Sequence, residues 1–245
     1  MSQYWEMLTR QMTLIDKRDQ EKFKNSTIAV IGCGGIGGMT IEMLARLGVG
    51  KLILVDEDVF DVSNLNRQVL STQETLNEKK SKAAAKRVKS INPEIDVEYY
   101  TEHVNPANID KLIENSSIVM DALDNVLTRV IVSRKSREHK IPFVHGAVEA
   151  TQGQVTTFLP NTKSYEKMFN LPSCGKDLTE EVMESLKNVT SHTPPVFGPT
   201  PNLVSCMQAM EAYKIITGLG KVTVSPKLLT FDADQIGRAS CRERV

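Results

Sequence analysis

Residues 29–68 read AVIGCGGIGGMTIEMLARLGVGKLILVDEDVFDVSNLNRQ, and side chains able to handle a nucleotide recur through them. Gly32, Gly34 and Gly37 have the G-x-G-x-x-G spacing, and their missing side chains let a turn tighten. Such a turn lets N–H groups approach phosphate at the positive end of the following helix. Asp56 ends the next apolar run, where a carboxylate accepts hydrogen bonds from ribose hydroxyls. That placement suits NAD and ATP equally, and a solvated strand-end residue is the plain alternative. The string SNLNRQ separates the readings. A dehydrogenase has no evident use for a guanidinium shortly past its ribose carboxylate, whereas a triphosphate site does. Arg67 offers a planar fork of donors for phosphate oxygens, and Ser63, Asn64 and Asn66 add neutral groups beside it.

Further along, Lys80 opens the helix KSKAAAKRV and is placed to reach the same phosphates, with one more solvated lysine as the alternative. Asp124 and Asn125 in MDALDN lie just beyond an apolar run. A carboxylate at that mouth suits Mg²⁺, a hard ion that prefers carboxylate, phosphate and water oxygens, and an N-cap of the next helix is the competing role for Asp124.

The elements that position these residues follow from periodicity. STIAVIGCGG reads as a strand running into a glycine turn, GGMTIEMLARLGVG as a helix with a glycine stop, and KLILVDED as a second strand. This βαβ unit demands a parallel sheet with a right-handed crossover. The pattern continues with a helix over about 77–89, a strand near IDVEYYT, a short helix near PANIDKLIEN and a strand at SIVMDAL. A helix through NVLTRVIVSRKSREHK and a strand at IPFVHGAV complete it. The fold class is doubly wound α/β: a mostly parallel, Rossmann-like sheet with helices on both faces and a C-terminal antiparallel extension.

From Thr151 the pattern shifts. GQVTTFLP is a strand that need not be parallel, and a polar excursion over 160–200 has the length of a lid, binding loop or crossover. NLVSCMQAMEAYKIITGLG is a helix with Met207, Met210, Ala212, Ile215 and Ile216 as packing positions, and KLLTFDAD is a closing strand. The expected organisation is an N-terminal helical arm (1–24), a nucleotide-binding domain (25–150) and an extension of the same domain (151–235). The last ten residues, IGRASCRERV, break with the composition before them and match an in-frame read through a common sequencing-library adapter. Residues 236–245 are therefore expected to be non-native, with the true C-terminus displaced.

Thirty basic and thirty acidic residues balance, and the basic stretch KKSKAAAKRVK is a solvated helix face apart from its first turn, so nucleic acid is not an expected partner. No stretch has the apolar length of a membrane span or the core of a secretory signal, so a cytoplasmic location is expected. Cys33, Cys174, Cys206 and Cys241 form no CxxC pair, which argues against a disulfide framework or a four-cysteine zinc site. His103, His139, His145 and His192 have no metal-ligand spacing, and His145 is expected to be a satisfied structural histidine.

Taken together, GCGGIGG, LVDEDVFDVSNLNRQ, the lysine helix ending in INP, MDALDN, HGAVEATQGQVTTF and MQAMEAYKIITG make the chain resemble the ThiF/MoeB/HesA family, prokaryotic relatives of the E1 enzymes that activate ubiquitin-like proteins. The resemblance covers nearly everything from Met7 to Asp234. It implies an adenylyltransferase that binds MgATP and lets the C-terminal glycine carboxylate of a small β-grasp protein ending in Gly-Gly attack the α-phosphate. It also implies Gly35 and its neighbours at the phosphates, Asp56 on the ribose, and Asn66, Arg67 and Lys80 along the triphosphate. Asp124 would bind the metal, with Asn125 beside it. LTRQMTL resembles the family's N-terminal motif, making Arg10 an arginine finger supplied by the other subunit of a homodimer.

The chain also departs from the family. Many members carry two CxxC pairs that hold structural zinc; here SYEKMFN replaces the first and the second would fall in the displaced tail, so no zinc is expected. Cys174 is the candidate for a thioester or persulfide, with a bystander loop cysteine as the alternative. Three rival functions stay open: an NAD-linked oxidoreductase, a non-catalytic half of a heterodimer, and adenylation of a peptide or another carboxylate.

Overall fold

The computed structural model of the chain describes residues 2–189 and 195–235; His192, Cys241 and the tail expected to be foreign lie outside the described residues. Helices α1 (Gln3–Met7) and α2 (Lys17–Lys24) lead to β1 (Thr27–Ile31), and the glycine turn leads through α3 (Gly35–Leu47) to β2 (Lys51–Val55). Then follow α4 (Lys80–Ile91), β3 (Asp96–Tyr100), α5 (Ile109–Ile113), β4 (Ile118–Asp121), α6 (Val126–Glu138) and β5 (Phe143–Glu149). The remainder is β6 (Gln152–Phe158), α7 (Tyr165–Met168), α8 (Glu180–Lys187), α9 (Pro199–Thr217) and β7 (Leu229–Asp232).

These strands form one seven-stranded sheet in the order β3-β2-β1-β4-β5-β6-β7. β1 to β5 pair in parallel, whereas β6 runs antiparallel to β5 and β7. The expected doubly wound class with an antiparallel extension is what the chain adopts. Alternation along β1 divides the core: Ile28 and Val30 pack under α3, α4 and α9, while Ala29 and Ile31 face the side covered by α5 and α6. Apolar residues on both faces are why TIAVI and KLILV read as near-continuous runs.

Residues 2–24 are built into this core. Tyr4 donates its hydroxyl hydrogen to the Gly48 carbonyl at 2.7 Å, and Gln20 Nε2 donates to Tyr4 Oη at 2.9 Å and to the Leu47 carbonyl at 2.8 Å. Phe23 is fully buried, 4.8 Å from the ring of Tyr213 on α9.

The expected helix over 77–89 begins later, at Lys80. Asn77 stands in the left-handed region at φ 65°, and its N–H donates to Phe60 O while Phe60 N–H donates to Glu78 O. This local pairing takes the backbone groups that an earlier helix start would need. Met210 is 60 % exposed and not a packing position. Met207, Ala212, Ile215 and Ile216 pack in the core as expected, and the inward side of α9 also carries Val204 and the polar Ser205 and Gln208, which apolar periodicity does not point to. The excursion over 160–200 contains α7 and α8, anchored where Arg134 of α6 pairs with Glu166 at 2.6 Å.

Phe23→Ala should cost about 3 kcal/mol, because it empties a fully buried aromatic site. Urea denaturation should then show a single transition at a lower midpoint; loss of an N-terminal segment alone, with the main transition unmoved, would mean that the segment is an independent arm.

Candidate active site

The order of the sheet reverses between β1 and β4, so the loops leaving those strands diverge and open a crevice beyond their carboxyl ends. The cleft there measures about 640 Å³. Its glycine wall depends on close backbone packing. Gly32 has φ +97°, and a Cβ on it would meet the Ala122 carbonyl oxygen at 2.5 Å. A Cβ on Gly37 would fall 1.9 Å from the Gly32 carbonyl oxygen. Gly37 thus serves the approach of α3 to β1, while Gly32, Gly34 and Gly35 line the cleft. Gly34 caps α3 without a side-chain bond, which leaves the first N–H groups of the helix for an anion.

Asp56 is fixed across this turn. Cys33 N–H donates to its Oδ2 at 2.7 Å and Asp58 N–H donates to its Oδ1 at 2.9 Å. Burial pushes its pKa up against those two bonds. Each oxygen keeps a lone pair for a ribose hydroxyl. Ile31, Val55, Val104 and Leu123 give the same end of the cleft an apolar lining fit for a base.

The segment between β2 and α4 divides its polar residues between two tasks. Asp61 Oδ1 accepts from Ser63 N–H at 2.7 Å and from the Ser63 hydroxyl at 2.5 Å, while Asn64 Oδ1 accepts from Asp61 N–H at 3.2 Å. These bonds close a single 3₁₀ turn over Val62–Asn64. Ser63 is exposed on that turn and Asn64 is buried under it, and neither lines the cleft. Asn66 and Arg67 do line it. Arg67 Nη1 donates to Ser63 O at 2.8 Å and to Asn66 Oδ1 at 2.9 Å, which braces the guanidinium at the rim.

Lys80 is 7 % exposed, and its Nζ donates to Asp58 Oδ2 at 2.9 Å, so it is no ordinary solvated lysine. Asp124 is exposed at the opposite wall, and the N-cap of α6 is its neighbour: Asn125 Oδ1 accepts from Thr128 N–H at 2.8 Å. Asn125 Nδ2 donates to Asp124 Oδ1 at 3.4 Å. The Asp124 carboxylate is thereby left for a cation. A divalent ion held there would draw its remaining ligands from phosphate and water, in keeping with Mg²⁺ chemistry.

Two expected site residues stand apart from the cleft. Arg10 is exposed in the turns after α1, and Cys174 is exposed in a turn after α7. Cys33 is buried, and burial pushes its thiol well above the usual range.

Sequence reasoning missed the ionic group under the cleft. Asp121, at the end of β4, is completely buried; Arg129 Nε lies 3.2 Å from its Oδ2 and His145 Nδ1 lies 2.6 Å from the same oxygen. Arg129 Nη2 also donates to the carbonyls of Leu123 and Gly146. Burial pushes the Asp121 carboxyl up, but the Arg129 charge and the bond from His145 outweigh it and hold the group below its usual range. Burial lowers the His145 pKa in spite of Asp121. The neutral ring therefore donates Nδ1–H to the carboxylate, the structural role expected for it. Sequence held only a weak signal: Asp121 and Arg129 are a strand-end acid and a base inside the next helix.

Comparison with known proteins gives this geometry a family. The model of the ThiF family matches residues 8–244. The chain belongs to the ThiF family. Among ThiF-like proteins it is 33 % identical over 229 residues to the SAMP-activating enzyme E1 of Haloferax volcanii, covering 91 % of this chain and 78 % of that protein. It is 33 % identical over 220 residues to the molybdopterin-synthase adenylyltransferase of Haemophilus influenzae, covering 89 % and 85 %. The crystal structure of E. coli MccB with ATP shares the fold at a TM-score of 0.75 and 24 % identity, over 89 % of this chain and 63 % of that one. This ThiF-family chain thus spans less than two thirds of MccB.

The depressed His145 pKa sets a pH dependence. The unfolded chain takes up a proton near pH 6.5 while the folded ring stays neutral, so the stability held above about pH 6.5 is lost as the pH falls toward the folded value. His145→Gln should flatten the melting temperature against pH profile between about 6.5 and 5. Parallel wild-type and variant profiles would show that His145 does not titrate on unfolding.

Proposed function

We propose that this chain adenylylates the C-terminal glycine carboxylate of a small β-grasp protein ending in Gly-Gly and releases pyrophosphate. The observation that carries the proposal is the convergence of Asp56, Asn66, Arg67, Lys80 and Asp124 with the glycine turn on one crevice. An NAD-linked site explains the glycines and Asp56 but leaves two cations and a second carboxylate without a shared purpose. The names of the relatives, a SAMP-activating enzyme and a molybdopterin-synthase adenylyltransferase, support the same reaction class.

A carboxylate oxygen of the substrate forms a bond to the α-phosphorus of ATP, and the bond from that phosphorus to the bridging oxygen breaks, its electron pair leaving with pyrophosphate. No proton transfer and no protein nucleophile is required. What the reaction asks of the protein is alignment of two anions and neutralisation of the charge on the phosphates. Asp56 holds the ribose. Lys80 exchanges Asp58 for phosphate oxygens, and Arg67 turns its open donors to the same chain. Asp124 would hold Mg²⁺, which when bound would supply neutralisation of the phosphate charge.

The functional unit in this reading is a homodimer. Arg10 is exposed and does not line its own cleft, in keeping with a residue acting on a neighbouring one. Phe197, Leu203 and Met210, from 36 % to 60 % exposed at and along α9, supply apolar surface for a second subunit. The reading places the enzyme in the cytoplasm, in sulfur transfer or conjugation, and without structural zinc. Cys174 is exposed and so open to a covalent step with the modifier.

ATP–pyrophosphate exchange with Mg²⁺ tests the proposal against a panel of small Gly-Gly-ended β-grasp proteins and a peptide carboxylate. One panel protein should support exchange, and Asp124→Asn should reduce it at least about 100-fold. Exchange supported by the peptide alone would move the acyl substrate to another class. MgATP binding without exchange for any acid would leave a non-catalytic partner role.

A further inference from the structure

Gln68 closes the string SNLNRQ, and none of the roles assigned above uses it. It is 6 % exposed and lines the cleft; its buried Oε1 has no hydrogen-bond partner among the described residues, and its Nε2, the end that can donate to an anion, makes no hydrogen bond among them either. Buried carboxamides are nearly always satisfied, because an unpaired polar atom forfeits its water without return. Packing holds this one in place all the same. Gln68 N–H donates to Asn64 O at 2.9 Å, and Ser71 N–H donates to Gln68 O at 2.8 Å, so the main chain on either side is fixed.

The carboxamide lies against the glycine turn. A Cβ built on Gly34 would meet Gln68 Nε2 at 3.6 Å, Cδ at 3.8 Å and Oε1 at 3.9 Å. The amide therefore faces the spot that Gly34 leaves open, beside the first N–H groups of α3. Gly34 directly follows Cys33, whose N–H grips Asp56 at 2.7 Å. With the ribose on Asp56, the phosphate nearest the ribose stands over Gly34.

We infer that Gln68 is a catalytic residue whose Nε2 donates to a non-bridging oxygen of the α-phosphate of the nucleotide. The inference rests on the adenylylation reading and deepens it. Arg67 and Lys80 bring positive charge to the rest of the phosphate chain, but the α-phosphorus must also admit an incoming carboxylate. A cation at that point would pair with the carboxylate and hold it off the line of attack. A neutral amide stabilises the charge that builds on the α-phosphoryl oxygens and offers the carboxylate no competing ion pair. Gly34 is the matching concession, because a side chain there would stand between the amide and the phosphate.

Calorimetry of the full chain with MgATP, AMP and adenosine, in wild type, Gln68→Ala and Gln68→Glu, tests this. Gln68→Ala should weaken MgATP and AMP about tenfold and adenosine less than about twofold, since only the first two carry the α-phosphate. Gln68→Glu, of the same shape but anionic, should weaken both nucleotides by more than about 100-fold and again spare adenosine. Melting of Gln68→Ala without nucleotide should match wild type. Nucleotide affinities unchanged in both variants, or an equal loss for adenosine, would overturn the assignment, and so would a lowered melting point with affinity intact, which marks a structural residue. Wild-type chain that fails to bind MgATP would overturn the adenylylation reading itself, and this inference with it.

Discussion

The carbonyl of Gly32 occupies the space that a side chain on Gly37 would need, and the rest of the cleft is built outward from that contact. A Cβ on Gly37 would come within 1.9 Å of that oxygen, and one on Gly32 within 2.5 Å of the Ala122 carbonyl. The end of β1, the first turn of α3 and the loop after β4 therefore pack backbone on backbone. This brings the open N–H groups of α3 beside Asp56, which Cys33 N–H holds at 2.7 Å, and keeps Asp124 on the facing wall. A single methyl group at Gly37 would lift the helix and separate its open N–H groups from Asp56.

Beneath that wall, charge does the positioning that packing does above it. Asp121 and Arg129 are ionised in a dry setting, an arrangement whose desolvation cost often cancels its Coulombic gain. Its value lies in where the guanidinium is held. Arg129 donates to Leu123 O in the loop that bears Asp124 and to Gly146 O on β5, so one residue ties both sides of the cleft floor together. His145 completes the group as a neutral donor to Asp121 and leaves the carboxylate free to keep Arg129 charged. Gln208 adds an uncharged tie, its Nε2 donating to Asp121 O at 2.8 Å and Val144 O at 3.1 Å from inside α9.

What could be read from sequence alone follows from the range of the forces involved. The strands of the parallel sheet are apolar on both faces and the helices among them carry glycine or proline stops, so the order of elements and the doubly wound class were legible locally. Sequence order brings Asp56, Lys80 and Asp124 to the cleft because each lies at the end of a strand or the start of a helix at the carboxyl edge of the sheet, where the topology itself makes a crevice, and Arg67 reaches it from the loop between β2 and α4. Asp121, Arg129 and His145 were not legible, since their pairing depends on β4, α6 and β5 meeting in space. The apolar packing positions of α9 were legible except Met210, but the polar part of its buried face was not, for a related reason. Ser205 donates to the Ile36 and Pro201 carbonyls at 2.6 Å, and Gln208 accepts from Thr40, so polar residues fill core positions that a hydrophobic pattern assigns to the surface.

SNLNRQ divides its residues between a turn and the cleft, and in the adenylylation proposed above it is the segment that extends a generic nucleotide crevice to a longer phosphate chain. A strand-end carboxylate and a glycine turn recognise a ribose and one phosphate; reaching further needs cations held at a set distance beyond them. Ser63 and Asn64 are spent on the 3₁₀ turn that Asp61 caps, and that turn delivers Asn66, Arg67 and Gln68 to the rim. The same segment then pairs Phe60 with Asn77 and Glu78, which starts α4 at Lys80 and points the lysine back across Asp58. Had the helix begun at Asn77, Lys80 would lie one turn further along α4, away from Asp58. Asn66, Arg67 and Gln68, which line the cleft, thus depend on Asp61, Ser63 and Asn64, which do not, and the string is better understood as a folded brace than as a row of ligands.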